Sequence, residues 1–156
     1  MKPETLLNTL VGMPVSHVWF SDYSVFYLEL GELTPSTQRR RDGSLMNPHG
    51  EARIYAGFDW RIERSHSICC GRHDSVTRRE SVIRSLVGTV VTEANVSGRV
   101  HELSIGFSNG LWLATFDMSP GGPEWHILFK KKEAYLETRR GRLRMPKDEN
   151  PPVPGR

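Results

Sequence analysis

Residues Glu4, Leu6, Leu7, Leu10, Val11, Gly12 and Val15 recur, at a constant offset of 76 residues, as Glu80, Val82, Ile83, Leu86, Val87, Gly88 and Val91. A match of this length at one spacing marks a tandem duplication, so one structural unit is expected twice. It also assigns most apolar residues to scaffold and leaves few for chemistry. Beyond Val15 and Val91 the apolar period changes to two. Phe26, Leu28 and Leu30 correspond to Leu103, Ile105 and Phe107 at an offset of 77, one residue having been inserted in a turn.

Each copy translates into elements. Thr77 and Glu80 form a T-x-x-E capping box, and Val82, Ile83, Leu86 and Val87 share one helical face before Gly88. In the first copy Leu6, Leu7, Leu10 and Val11 do the same before Gly12, with Pro3 suited to a first helical turn. Both glycines are expected in the left-handed conformation that closes a helix. Residues 15–20 and 90–96 read as strands, each followed by a polar turn and an alternating strand. In the second copy Asn109-Gly110 signals a hairpin into residues 111–116, and a last strand covers 125–131. The first copy reaches equivalent strands, about 52–58 and 60–64, only after a polar excursion over residues 34–50. The pairs Trp60-Arg61-Ile62 and Trp125-His126-Ile127 look like matching ends. The expectation is an α+β fold of two tandem copies, each a short helix plus antiparallel strands, sharing one core with pseudo-two-fold symmetry. It forms a single domain over residues 1–145, with repeats at about 3–64 and 77–131 and a disordered, proline-rich tail over 146–156.

A chain of 156 residues fits one ordinary domain. No apolar run approaches the ~20 residues of a membrane span, and no charged-then-apolar leader is visible, so the expectation is a cytoplasmic protein without a membrane partner. The only cysteines, Cys69 and Cys70, are adjacent, a spacing that strains a disulfide and lacks a second ligand pair for zinc. No metal site and no cofactor is expected, and no motif of a hydrolase, metalloprotease or nucleotide-binding loop is present.

Four constellations remain. Cys70, His73 and Asp74, with His66 and Cys69, carry the residue types of an activated thiol, although their plainer reading is a loop joining the copies. Glu4 and Glu80 suit helix starts, and Glu29 and Glu102 read as solvent-facing. Residues 130–147 hold eight cations against two acids, a net +6 within a chain of net +3. Lys130, Lys131 and Lys132 open that run, and a second cluster, Arg39, Arg40 and Arg41, lies in the 34–50 excursion. Such clusters are solvated edges, or they meet an acidic protein or phosphates. Trp60 and Trp125 read as core anchors, whereas Tyr27 and Trp112 are candidates for an exposed, partner-binding sheet face.

The layout Leu10-Val11-Gly12-x-x-Val15, alternating strand, Trp60-x-Ile62, then Leu86-Val87-Gly88-x-x-Val91, alternating strand, Asn109-Gly110 and Trp125-x-Ile127 resembles small uncharacterised bacterial proteins, including immunity proteins of polymorphic toxin systems. The resemblance spans about residues 5–130 and transfers no site residue. It implies a non-enzymatic, cytoplasmic protein that neutralises a partner, although inhibitors of nucleases are often acidic and this chain is basic. The sequence therefore points to a binding module for a protein partner through Arg39, Arg40, Arg41, Tyr27, Trp112, Lys130, Lys131 and Lys132. The alternative is a phosphate-facing module that binds nucleic acid or a nucleotide through the basic segments. An open sheet edge leaves a homodimer as a further reading.

Overall fold

The structure is a computed structural model that describes residues 1–57, 59–121 and 124–146. In chain order the elements are α1 (Pro3–Asn8), β1 (Val15–Phe20), β2 (Phe26–Leu30), β3 (Ala52–Ala56), β4 (Trp60–Glu63), β5 (Ile68–Gly71) and α2 (Val76–Arg84). There follow β6 (Val91–Ser97), β7 (Glu102–Phe107), β8 (Trp112–Thr115), β9 (Trp125–Phe129), a 3₁₀ turn (Lys130–Lys132), β10 (Ala134–Arg139) and β11 (Arg142–Arg144). All strand pairs are antiparallel.

The strands form two sheets, in the orders β1-β2-β3-β9-β10-β11 and β5-β4-β8-β7-β6. This overturns the expected α+β arrangement of two helix-plus-strand copies. The molecule is predominantly antiparallel β, and neither half of the chain makes a sheet of its own. β4, from the first half, pairs with β8 of the second, while β9, from the second half, pairs with β3 of the first. The physical reason is burial. The W-x-I strands are apolar on their inward faces, and each, with its essentially fully buried tryptophan, is flanked by a strand of its own half on one side and of the opposite half on the other. Each indole still reaches back to its own half: Trp60 Nε1 donates to Ser24 O (2.8 Å) and Trp125 Nε1 to His101 O (3.3 Å).

Where the chain enters β1 and β6, equivalent residues bond reciprocally. Gly12 N donates to Val91 O (2.8 Å) and Gly88 N to Val15 O (2.9 Å); Val15 N meets Thr89 O (2.8 Å) and Val91 N meets Met13 O (2.9 Å). Both strands then carry an irregularity at matching places, between Val15 and His17 and between Val91 and Glu93. Gly12 and Gly88 have φ of +90° and +88°, the left-handed values a glycine tolerates best. They do not end the helices directly, because α1 and α2 stop at Asn8 and Arg84 and a further turn intervenes.

The start of α2 also differs from expectation. Its N-cap is Ser75, whose hydroxyl accepts from Arg78 N (3.2 Å), so Thr77 lies inside the helix. α1 packs on β6 and α2 on β1 and β5, so each helix covers the entry strand of the other half or its neighbours. One apolar cluster joins helix residues Leu6, Leu10 and Ile83 to inward residues of both sheets, including Leu28, Ile54, Ile62, Ile105, Leu113, Ile127 and Leu136. Phe26 meets Trp60 edge-to-face at 4.8 Å across the two sheets. Of the expected disordered tail, residues 147–156 lie outside the described residues.

Candidate binding surface

Residues 34–50 form an arm that leaves β2 and returns into β3, its two sides joined by isolated antiparallel bridges at Thr34 with His49 and Arg39 with Leu45. Thr34 and His49 exchange backbone bonds at its base (2.7 and 2.9 Å), and Met46 N donates to Gln38 O (2.9 Å) farther out. The tip is a tight turn. Arg40 N donates to Ser44 O (2.8 Å), Gly43 has φ of +86°, and Asp42 Oδ1 accepts from Ser44 N (2.9 Å) and Ser44 Oγ (2.6 Å). Those two bonds from Ser44 hold the Asp42 carboxyl below its usual range. Arg39, Arg40 and Arg41 are exposed on this tip, with Arg39 Nη1 donating to Gly43 O (2.7 Å) and the Arg40 guanidinium to Leu45 O. Leu45 and Met46, 45% and 42% exposed, stand beside them.

The arm's root is held by a charge that the sequence reading had placed in solvent. Glu29 is fully buried. Its Oε1 accepts from Gly50 N (3.0 Å), and its Oε2 accepts from Arg53 Nε (2.6 Å) and Trp19 Nε1 (2.8 Å). A carboxylate can leave water only when its lone pairs are satisfied in this way. Arg53, also buried, donates through Nη2 to His49 Nδ1, and His17 Nε2 lies 2.9 Å from Asn47 Oδ1. Burial, and then the neighbouring Arg53 charge, lower the His49 pKa from its ordinary 6.5.

The lysine turn docks at the same root. Lys130 N donates to Glu51 O (3.0 Å), Lys131 Nζ pairs with Glu51 Oε1 (2.6 Å), and Glu51 Oε2 accepts from Glu32 N (3.0 Å). Lys130, Lys131 and Lys132 are exposed, and the lysine turn and arm root line one groove with Glu32, Thr34, Gly50 and Glu51. Lys130 and Lys131 thus share a groove with the root of the arm, whereas Arg39, Arg40 and Arg41 lie on its tip. Arg139, Arg140, Arg142 and Arg144 of the basic run are no loose tail, because they belong to the β10–β11 hairpin, and Lys147 lies outside the described residues.

Tyr27 does not belong to a free surface. It is 2% exposed, stacked on Trp19 with ring centroids 3.7 Å apart, and followed across the sheet by Tyr55 (5.2 Å). Tyr55 stacks on His126 (4.3 Å), which lies 5.3 Å from Tyr135. This ladder, the arm's root and the Glu29–Arg53 pair lie together on the face of the six-stranded sheet opposite the apolar core, which is why the expected exposure fails. Burial pushes the Tyr27 hydroxyl up to about 12 and the His126 imidazole down to about 3. Trp112 is half-buried on the five-stranded sheet, and its ring lies over Gly106, where a Cβ would sit 2.9 Å from the indole.

Cys70 is buried, its thiol pushed up to about 11 by desolvation and then by Cys69 and Asp74, while Asp74 Oδ2 accepts from Gly71 N (2.8 Å). Among the described residues no group of three or more His, Cys, Asp or Glu side chains is placed to hold a metal ion, and no helix is long and apolar enough to cross a membrane.

Glu29 and Arg53 are the residues sequence reasoning missed. A signal existed: each is a charge set between apolar residues in an alternating strand, of opposite sign, on strands joined by one excursion. No protein-family model matches this chain, and no curated protein or solved structure matches it.

Proposed function

We propose that this chain is a non-enzymatic binding module that captures an acidic protein partner through the tip of the arm, with the lysine turn at the arm's root adding to the positive charge. The observation that carries this reading is the arm itself: three exposed guanidinium-bearing residues beside exposed Leu45 and Met46, on a ribbon whose root is tied into a buried ion pair. Arginine mixed with apolar side chains is the chemistry of protein interfaces, and a rooted ribbon loses less entropy on binding than a free loop. The role fits a cytoplasmic inhibitory protein of the immunity type. Trp112, half-exposed on the other sheet, lies outside this surface.

The second reading, nucleic acid or nucleotide binding, is favoured by the ribbon's shape, since a two-stranded ribbon carrying arginines can enter a groove of a duplex. A capture experiment decides between them. Immobilised wild-type chain and the variant Arg39→Ala/Arg40→Ala/Arg41→Ala are exposed to host lysate, with and without short DNA and RNA competitors. The protein reading expects a partner retained by the wild type, at least tenfold less by the variant, and undisplaced by either competitor. That factor corresponds to about 1.4 kcal/mol, within reach of two charge-assisted contacts. Displacement by DNA or RNA transfers the role to phosphates. Capture that survives the triple change but is lost in Cys70→Ser or His73→Ala overturns both.

A further inference from the structure

We propose that the arm is held by an acid-sensitive latch: neutral His49 accepts a hydrogen bond from Arg53 at the root, and protonation of His49 releases the arm from the sheet. The inference rests on the reading of the arm as the binding element and names its regulation.

The argument is one of valence. Nδ1 of His49 faces a guanidinium, which can only donate, so that nitrogen must carry its lone pair. A proton there turns the contact into two cations side by side. The charged and titratable groups around His49 are Arg53 on β3, Glu29 on β2 and Lys130 on the lysine turn. The Glu29 charge offsets part of this repulsion, but it ranks below burial and Arg53, and its oxygens already accept from Gly50 N, Arg53 and Trp19. Lys130 adds to the repulsion. His17 on β1 reaches the arm through Asn47 and can donate from Nε2 in either charge state, so that contact survives acid. What remains at low pH is the His17–Asn47 contact and the backbone pair between Thr34 and His49, neither of which ties the arm to Arg53.

The sign follows from the direction of the His49 shift. The docked arm favours the neutral ring, so docking is complete above the ordinary value of 6.5 and is lost as pH falls below it. The test is performed on the full chain by NMR. Backbone order parameters of arm residues 36–46 and the imidazole shifts of His49 and His17 are followed from pH 7.5 to 5. The expected result is a fall in arm order from about 0.85 to below about 0.6 with the midpoint of His49 itself, below 6.5. In His49→Gln, whose amide oxygen accepts from Arg53 and does not titrate, the arm stays ordered to pH 5. Arm order that is unchanged through the His49 titration, or that tracks His17 instead, overturns the latch using wild-type protein alone. Loosening of the His49→Gln arm at the same pH overturns it as well. If the arm loosens with His49 while the triple arginine variant captures its partner normally, the latch stands and the binding reading falls.

Discussion

Buried charges bring the functional elements of this chain together, and their partners can be tested one residue at a time. Arg53→Met leaves Glu29 buried with no cation, and removing one member of a buried pair costs about 3–5 kcal/mol. Urea unfolding should show that loss, and Glu29→Leu/Arg53→Met should cost less than the sum of its single changes, since both remove the same interaction. At the other end of the sheets, Asp117 is desolvated beside Glu102, Glu124 and Asp59, which together push its pKa from 3.8 to about 7. Glu102 accepts from Thr115 Oγ1 (2.6 Å) and from Asp117 N (2.5 Å). The folded state therefore holds a proton on Asp117 that the unfolded chain releases. Its contribution is complete below 3.8 and is lost as pH rises through about 7. Asp117→Asn should raise the melting temperature at pH 8.5 and change it little at pH 5; equal effects at both would exclude the shift.

At the scale of elements, the arm separates function from stability. Replacing Arg39, Arg40 and Arg41 by Ala should alter unfolding free energy by less than about 0.5 kcal/mol, because exposed charges contribute little. Gly50→Ala should do the opposite. A Cβ at that root position would sit 2.4 Å from Leu30 O and 2.6 Å from Leu30 N, so the strand must move, at about 1–3 kcal/mol. Chemical denaturation of both variants, beside the capture assay, tells the two roles apart. The same scale shows which elements could be read from residues alone. Alternating apolar runs predict β1, β2, β6, β7 and β8 closely, and turn chemistry at Asn109-Gly110 agrees with φ of +81° at Gly110. Cys69 and Cys70 read as small residues of a partly buried strand, which β5 is, whereas the β10–β11 hairpin was missed, concealed among cations that resemble a tail. The helix cap was misplaced because Ser75 and Thr77 are both capable and only backbone conformation chooses between them.

For the whole molecule, the exchange of β4 and β9 between halves makes each sheet depend on both. Residues 1–74 and 75–145, expressed apart, should be insoluble or unfolded, since each lacks strands that cover its tryptophan. Mixed under refolding conditions, the two fragments should recover one cooperative transition, measurable by circular dichroism. Two halves that melt cooperatively on their own would contradict the exchanged topology.

The sequence by itself determined most strand positions, the paired tryptophans and the two left-handed glycines, because these follow from local periodicity and backbone sterics. Only the tertiary structure decided which strands pair, that Tyr27, His126 and Tyr135 are buried on the face of the six-stranded sheet away from the core, and that Glu29 and Arg53 share one buried site at the arm's root. Pairing and burial are set by contacts between residues distant in sequence. A charge in an alternating strand looks the same along the chain whether it faces water or a partner across the sheet.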